Sequence, residues 1–180
     1  MTADEIQVQG SAPYKRTIAI AIDASKFSDY AFHWALEHYL RKTTTPMGIN
    51  SGLDAPTDTA VSSSPQKESH DLLTKYAKLL AEREYAYKAV CIDPGFLSPK
   101  ESIVREVATL NATALIVGSR DQDVLSRGFL GSVSDYCAHH CHCPVLIAKP
   151  SEEEAVKMKA HDEAYIRTFK FPPASAVMIL

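Results

Sequence analysis

The chain has 180 residues, 46% hydrophobic and 23% charged, the balance of one ordinary globular domain with additional segments. A formal net charge of −3 supplies no basic field, which argues against general nucleic-acid binding. No apolar run approaches the ~20 residues that span a bilayer, and the opening MTADEIQVQGSAPYKR lacks a basic-then-apolar signal layout, so no membrane contact and a cytoplasmic location are expected.

Residues 1–14 are polar and aperiodic and are expected to form a flexible tail. Thr17–Ile22, TIAIAI, is apolar at both alternations and stops at Asp23, the pattern of a strand buried on both sides of a parallel sheet. Ser25 and Ser28 are candidate caps for a helix whose stripe is Phe32, Leu36 and Leu40, ending near Arg41. Residues 43–69 are rich in Thr, Ser, Pro, Asp and Gly and hold no strand-like run, so they are expected to form a long low-complexity loop.

Helical periodicity returns over His70–Glu84, with Leu72, Leu73, Tyr76, Ala77 and Leu80 on one face. Tyr85–Ile92, YAYKAVCI, has the aromatic and β-branched content of a strand. Ser98-Pro99-Lys100-Glu101 places a capping serine, a proline at the first helical position and a glutamate three residues on. Ile103, Val104, Val107 and Leu110 line the inner face of that helix, and Asn111 suits a left-handed stop. Ala114–Val117 is a buried strand ended by Gly118. After a polar loop, Ser132-Val133-Ser134-Asp135 has the form of a capping box, and Pro144–Ala148 is a last buried strand. Residues 151–180 form an extension. Its first part suits a helix with Glu152–Glu154 at the N-terminus, while FPPASAVMIL is left open between packing on the domain and fraying.

Alternating strands and helices over residues 15–150 predict an α/β domain, a parallel sheet covered on both faces. Ligands in such sheets bind at the carboxyl ends of the strands, where the winding reverses. Asp23 and Gly118 both end strands and are expected to face each other across such a crevice.

Three stretches, TIAIAIDASKFSDYAFHWAL, SPKESIVREVATLNATALIVGSR and GFLGSVSDYCAHHCHCPVLIAK, resemble the universal stress protein family from about Lys15 to Lys149. The resemblance implies a flavodoxin-like (adenine nucleotide alpha hydrolase-like) sandwich of five parallel strands, often a homodimer through the last strand, here PVLIAK. It also implies, in some members, ATP binding with a regulatory role in stress. The binders' glycine pattern is Gly, two residues, Gly, nine residues, Gly, then Ser or Thr. Here it becomes Gly118, Ser119-Arg120, Asp121, nine residues, Gly131, Ser132, with Asp121 in place of the second glycine. By the same resemblance Asp23 matches the acidic residue that contacts adenine or ribose, and Gly118, Gly131, Ser132 and Val133 match the phosphate and ribose positions.

Asp121 adds a charge opposed to phosphate, on the order of several kcal/mol at ~4 Å in a half-wet site. Arg120 and Arg127 are the loop cations that offset it, and a magnesium ion bound with ATP turns a carboxylate into a ligand. The family's second strand, which lies beside the first and contributes to the adenine pocket, has no counterpart after Arg41. Either the next strand pairs directly with the first or Met47–Ile49 supplies a short edge, because an empty position strands backbone groups.

Of the four cysteines, Cys137, Cys141 and Cys143 crowd together with His139, His140 and His142. Thiolate and imidazole suit zinc or copper, but the spacing matches no zinc module, and Cys137 and Cys141 share a face with Val133 that suits the core. No metal site is assigned, and a Cys/His metal or redox binder stands as an alternative function. Trp34 is a packing or interface aromatic, and no nucleophile elbow or Walker motif occurs. The leading expectation is a nucleotide binder that is not an enzyme, with at most slow ATP hydrolysis. The competing expectation is a dimeric interaction module that binds no nucleotide.

Overall fold

The computed structural model describes residues 16–41, 64–92, 97–119, 130–168 and 175–179. Five strands form one sheet in the order β2-β5-β1-β3-β4. They are β1 (Ile18–Asp23), β2 (Lys88–Cys91), β3 (Ala114–Gly118), β4 (Val145–Ala148) and β5 (Ser175–Ile179). The helices are α1 (Lys26–Trp34), α2 (Ser64–Glu82), α3 (Pro99–Thr109), α4 (Ser132–His140) and α5 (Glu152–Thr168). The architecture is the predicted α/β class with a mostly parallel, flavodoxin-like sheet.

β1 shows why the sheet sits in the middle. Ile18, Ile20 and Ile22 enter one core with Phe32 and Leu36 of the first helix and with Tyr76 and Leu80 of α2. Ala19 enters the opposite core with Ile103 and Val107 of α3, Leu115 and Val117 of β3, and Cys137 of α4. A strand apolar at both alternations therefore feeds two cores, as its sequence required. β3 is buried along its length between β1 and β4, with Ala114 opposite Ile18 and Leu115 opposite Val145.

Local signals place most helix ends. Ser25 caps α1, its hydroxyl accepting from the Ser28 amide at 3.2 Å. Past Trp34 the helix widens into one π-type stretch, Ala35–Tyr39, closed by the Leu40 amide donating to Ala35 O at 2.8 Å. At α3 the Ser98 amide and hydroxyl both donate to Glu101 Oε2, at 2.8 and 2.6 Å, and Asn111 takes the left-handed stop with φ 48°. α2 begins at Ser64, inside the stretch expected to be loop.

The predicted capping box at Ser132 does not form. Gly131 is the N-cap and no side chain caps the helix. The Gly131 carbonyl already closes the first turn by accepting from the Asp135 amide at 2.8 Å, so the helix starts one residue earlier than a Ser132 cap requires.

The larger correction concerns the sheet. The position beside β1 is neither empty nor filled by β2, because β5 from the C-terminal extension occupies it, antiparallel to both neighbours. Ser175 to Ile179 pair with Asp23 to Ala19, and Ala176 to Ile179 pair with Cys91 to Lys88. Five parallel strands were expected; one of the five runs the other way. The reason is the one that made a gap implausible, since β1 and β2 each carry a row of donors and acceptors that need partners. β2 pairs over Lys88–Cys91 rather than over all of Tyr85–Ile92. Met47–Ile49, the other of the two expected ways to fill the position, lies outside the described residues.

Candidate nucleotide site at the carboxyl edge of the sheet

β1 and β3 are parallel neighbours, so Asp23 and Gly118 end at the same edge, as expected for a crevice. The winding reverses between them, with α1 packed in the β1 isoleucine core and α4 in the opposite one. The N-termini of both helices therefore meet this edge, and each presents first-turn amides that have no acceptor within the helix.

Asp23 is held by its own turn. Its Oδ1 accepts from the Ser25 amide at 2.8 Å and from the Ser25 hydroxyl, while its backbone amide donates to Ser28 Oγ at 2.9 Å. A half-buried carboxylate with a fixed orientation suits recognition of a ligand hydroxyl or amine. Gly118 has a packing reason of its own. A Cβ there would lie 2.4 Å from Phe27 O and 2.7 Å from Phe27 C, so only glycine lets the first turn of α1 rest against the end of β3.

Ser119, which sequence reasoning did not single out, ties the second helix to the same place. It is buried, its hydroxyl accepts from the Gly131 amide at 3.4 Å, and its amide donates to Ala148 O. Gly131, Ser132 and Val133 therefore stand beside the end of β3, with Ser132 and Val133 exposed. Asp23, Gly118, Gly131, Ser132 and Val133 thus share one edge. Arg120, Asp121 and Arg127 lie outside the described residues.

Another acid, also unforeseen, reaches this edge from far away in the chain. Asp162 of α5 is 8% exposed, and its Oδ1 accepts from the Lys26 amide, the first residue of α1, at 2.9 Å. Its Oδ2 is buried without a hydrogen-bond partner. Nothing in the local sequence marks Asp162, because the contact spans 136 positions.

The Cys/His cluster is divided by its helix. Cys137 is fully buried in the α3–α4 core, where loss of hydration, and then the neighbouring Cys141, push its thiol up to about 12. Burial also raises Cys141 and Cys143. His139 and His140 are exposed and pair their Nδ1 atoms with Asp135 O and Tyr136 O of the same helix, both at 2.8 Å. Among the described residues no three His, Cys, Asp or Glu side chains converge on a metal position.

Residues 15–149 match the Universal stress protein family. The chain belongs to that family. It is 32% identical to Universal stress protein PHOS34 of Arabidopsis thaliana over 167 residues, covering 77% of this chain and 64% of that protein. Universal stress protein PHOS32 of the same plant is also 32% identical, with 77% and 66% covered, so the chain spans just under two thirds of either relative. Stress response protein NhaX of Bacillus subtilis (strain 168) is 28% identical, with 82% and 98% covered. Among solved structures, a universal stress protein family protein from Arabidopsis thaliana with AMP bound shares 20% identity and a TM-score of 0.47, over 76% of this chain and 92% of that one. Among the described residues no helix is long and apolar enough to cross a membrane.

Proposed function

We propose that the protein binds an adenine nucleotide, ATP with magnesium, at the carboxyl edge between β1 and β3, and that binding serves a regulatory role in the stress response. The observation that carries this is the meeting of a fixed acid, Asp23, with the start of α4 at the switch point of the sheet. Asp23 takes adenine or ribose. The amides at Ser132 and Val133, next to Gly131, with the Ser132 hydroxyl, take phosphate, and the positive end of α4 adds to their pull. Magnesium would be held by the phosphate oxygens and by the waters it keeps, while Asp121, at the second position of the glycine pattern, adds a charge opposed to phosphate. Asp23 Oδ1 is engaged by Ser25, and no general base is assigned, so the protein acts by binding, with turnover at most slow. Among the described residues β4 is paired on one side only, which leaves an edge for a second copy of the chain and supports a homodimer through the last parallel strand.

The test is a thermal melt with magnesium and ATP or GTP. A ligand at a hundred times its Kd adds about 2.7 kcal/mol, enough to raise Tm by several degrees. A rise with ATP and not GTP is expected, and a larger one in Asp121→Gly, which removes the opposed charge. A cooperative melt that no nucleotide moves in either protein overturns the reading in favour of an interaction module of the same fold.

A further inference from the structure

The C-terminal extension enters and leaves the domain at one edge. α5 follows β4, whose last residue, Ala148, lies level with Gly118 at the carboxyl end of the sheet. β5 begins at Ser175, level with Asp23 at that same end. Between β4 and β5 stand β3 and β1, three strand spacings or about 14 Å across. A helix of 17 residues is about 25 Å long, enough to bridge that interval. The extension is thus fixed at both ends on the edge that carries Asp23 and Gly131, and it touches down between those ends where Asp162 accepts from the Lys26 amide at the start of α1.

We infer that α5 is an intramolecular strap across the nucleotide crevice, with Asp162 as its latch, and that an adenine nucleotide has to displace the latch to bind. This rests on the nucleotide reading above. Asp162 presents to the first turn of α1 what an anionic ligand would present, a carboxylate oxygen on a helix-terminal amide. It also brings a second carboxylate to the edge that holds Asp23, which opposes a polyphosphate while the latch is closed. The contact is built to open. One oxygen is bonded, the other is buried with no partner, and an unsatisfied buried acceptor offsets much of what the bond contributes. β5 is the permanent anchor, since it is paired along both sides, so the strap swings aside without leaving the molecule. Being tethered, it competes at a fixed effective concentration, and apparent affinity is the intrinsic affinity multiplied by the fraction of time the crevice is open.

The full chain tests this. Magnesium-ATP affinity is measured by titration for the native protein, for Asp162→Ala, which removes the latch, and for Glu153→Gln, which removes a charge of the same helix away from it. Hydrogen exchange of the α5 amides is followed with and without ATP. The strap predicts affinity at least about tenfold tighter in Asp162→Ala and unchanged in Glu153→Gln, and faster α5 exchange in the native protein once ATP is added. Equal affinities in all three proteins, with α5 exchange unmoved by ATP, overturn the strap and leave the nucleotide reading standing. No binding by Asp162→Ala, although its α5 exchanges freely, overturns the nucleotide reading and the strap with it. The exchange measured on the native protein decides the matter even if Asp162→Ala folds poorly.

Discussion

Gly118 is the residue at which two demands coincide. The proposed phosphate cradle wants a glycine, and the packing of α1 wants one because Phe27 O would lie 2.4 Å from any Cβ. The second demand holds whether or not a ligand binds. Gly118→Ala should therefore destabilise the protein without nucleotide, by about 1–3 kcal/mol as in other overpacked sites, measured by urea denaturation. A Gly118→Ala protein as stable as the native one would mean that α1 moves away at no cost. Other residues were legible directly. The Ser98–Glu101 box and the left-handed Asn111 form as their sequence predicts, because both depend only on neighbours within a few positions. Ser132 did not follow its local pattern, since the Gly131 carbonyl set the start of α4 first.

At the scale of elements, the periodic segments were legible and the pairing was not. Each helix and parallel strand of residues 15–150 announces itself by its apolar spacing. β5 had no such announcement. SAVMI is short, follows two prolines, and reads equally well as a packed or a frayed tail. Its place is set by two partners more than 80 residues away, which no local window contains. The vacancy beside β1 and the apolar tail were both visible, and joining them was the available signal. In an inner strand every amide points to one neighbour or the other, so Val177→Pro removes a ladder bond whichever side it faces. The expected loss is about 3 kcal/mol or more, read as a lowered or non-cooperative thermal melt. An unchanged melt would show that β1 and β2 do not depend on β5.

For the whole molecule, acid stability draws on three carboxyls among the described residues. Burial pushes the Asp29 carboxyl up, but hydrogen bonds from Lys75 Nζ at 2.6 Å and the Tyr76 hydroxyl at 2.9 Å, with the Lys75 charge, outweigh it and hold Asp29 below its ordinary value. Hydrogen bonds from the Ser98 and Ser151 side chains, then from their amides, lower Glu101 and Glu154 in the same way. A carboxyl depressed by folding stabilises the native state above its unfolded value, near pH 4, and loses that contribution as pH falls through the native one. Tm should therefore be flat from neutral pH down to about 5 and decline below 4. Asp29 joins α1 to α2, so Asp29→Asn should weaken the protein by about 1 kcal/mol at pH 7 and reduce the acid decline. Equal acid slopes for the two proteins would show that the Asp29 contact contributes nothing in solution.

The sequence alone determined the α/β class, the two-faced core, the helix signals at Ser25, Ser98 and Asn111, and the carboxyl edge where Asp23 meets the start of α4. All of these follow from spacing and capping within a few residues, or from the rule that a parallel strand must be covered on both sides. Only the tertiary structure decided that the C-terminal extension supplies the fifth strand, that it runs antiparallel, and that Asp162 reaches the start of α1. Those outcomes depend on unmet backbone groups finding partners across the chain, and a backbone donor looks the same in every sequence.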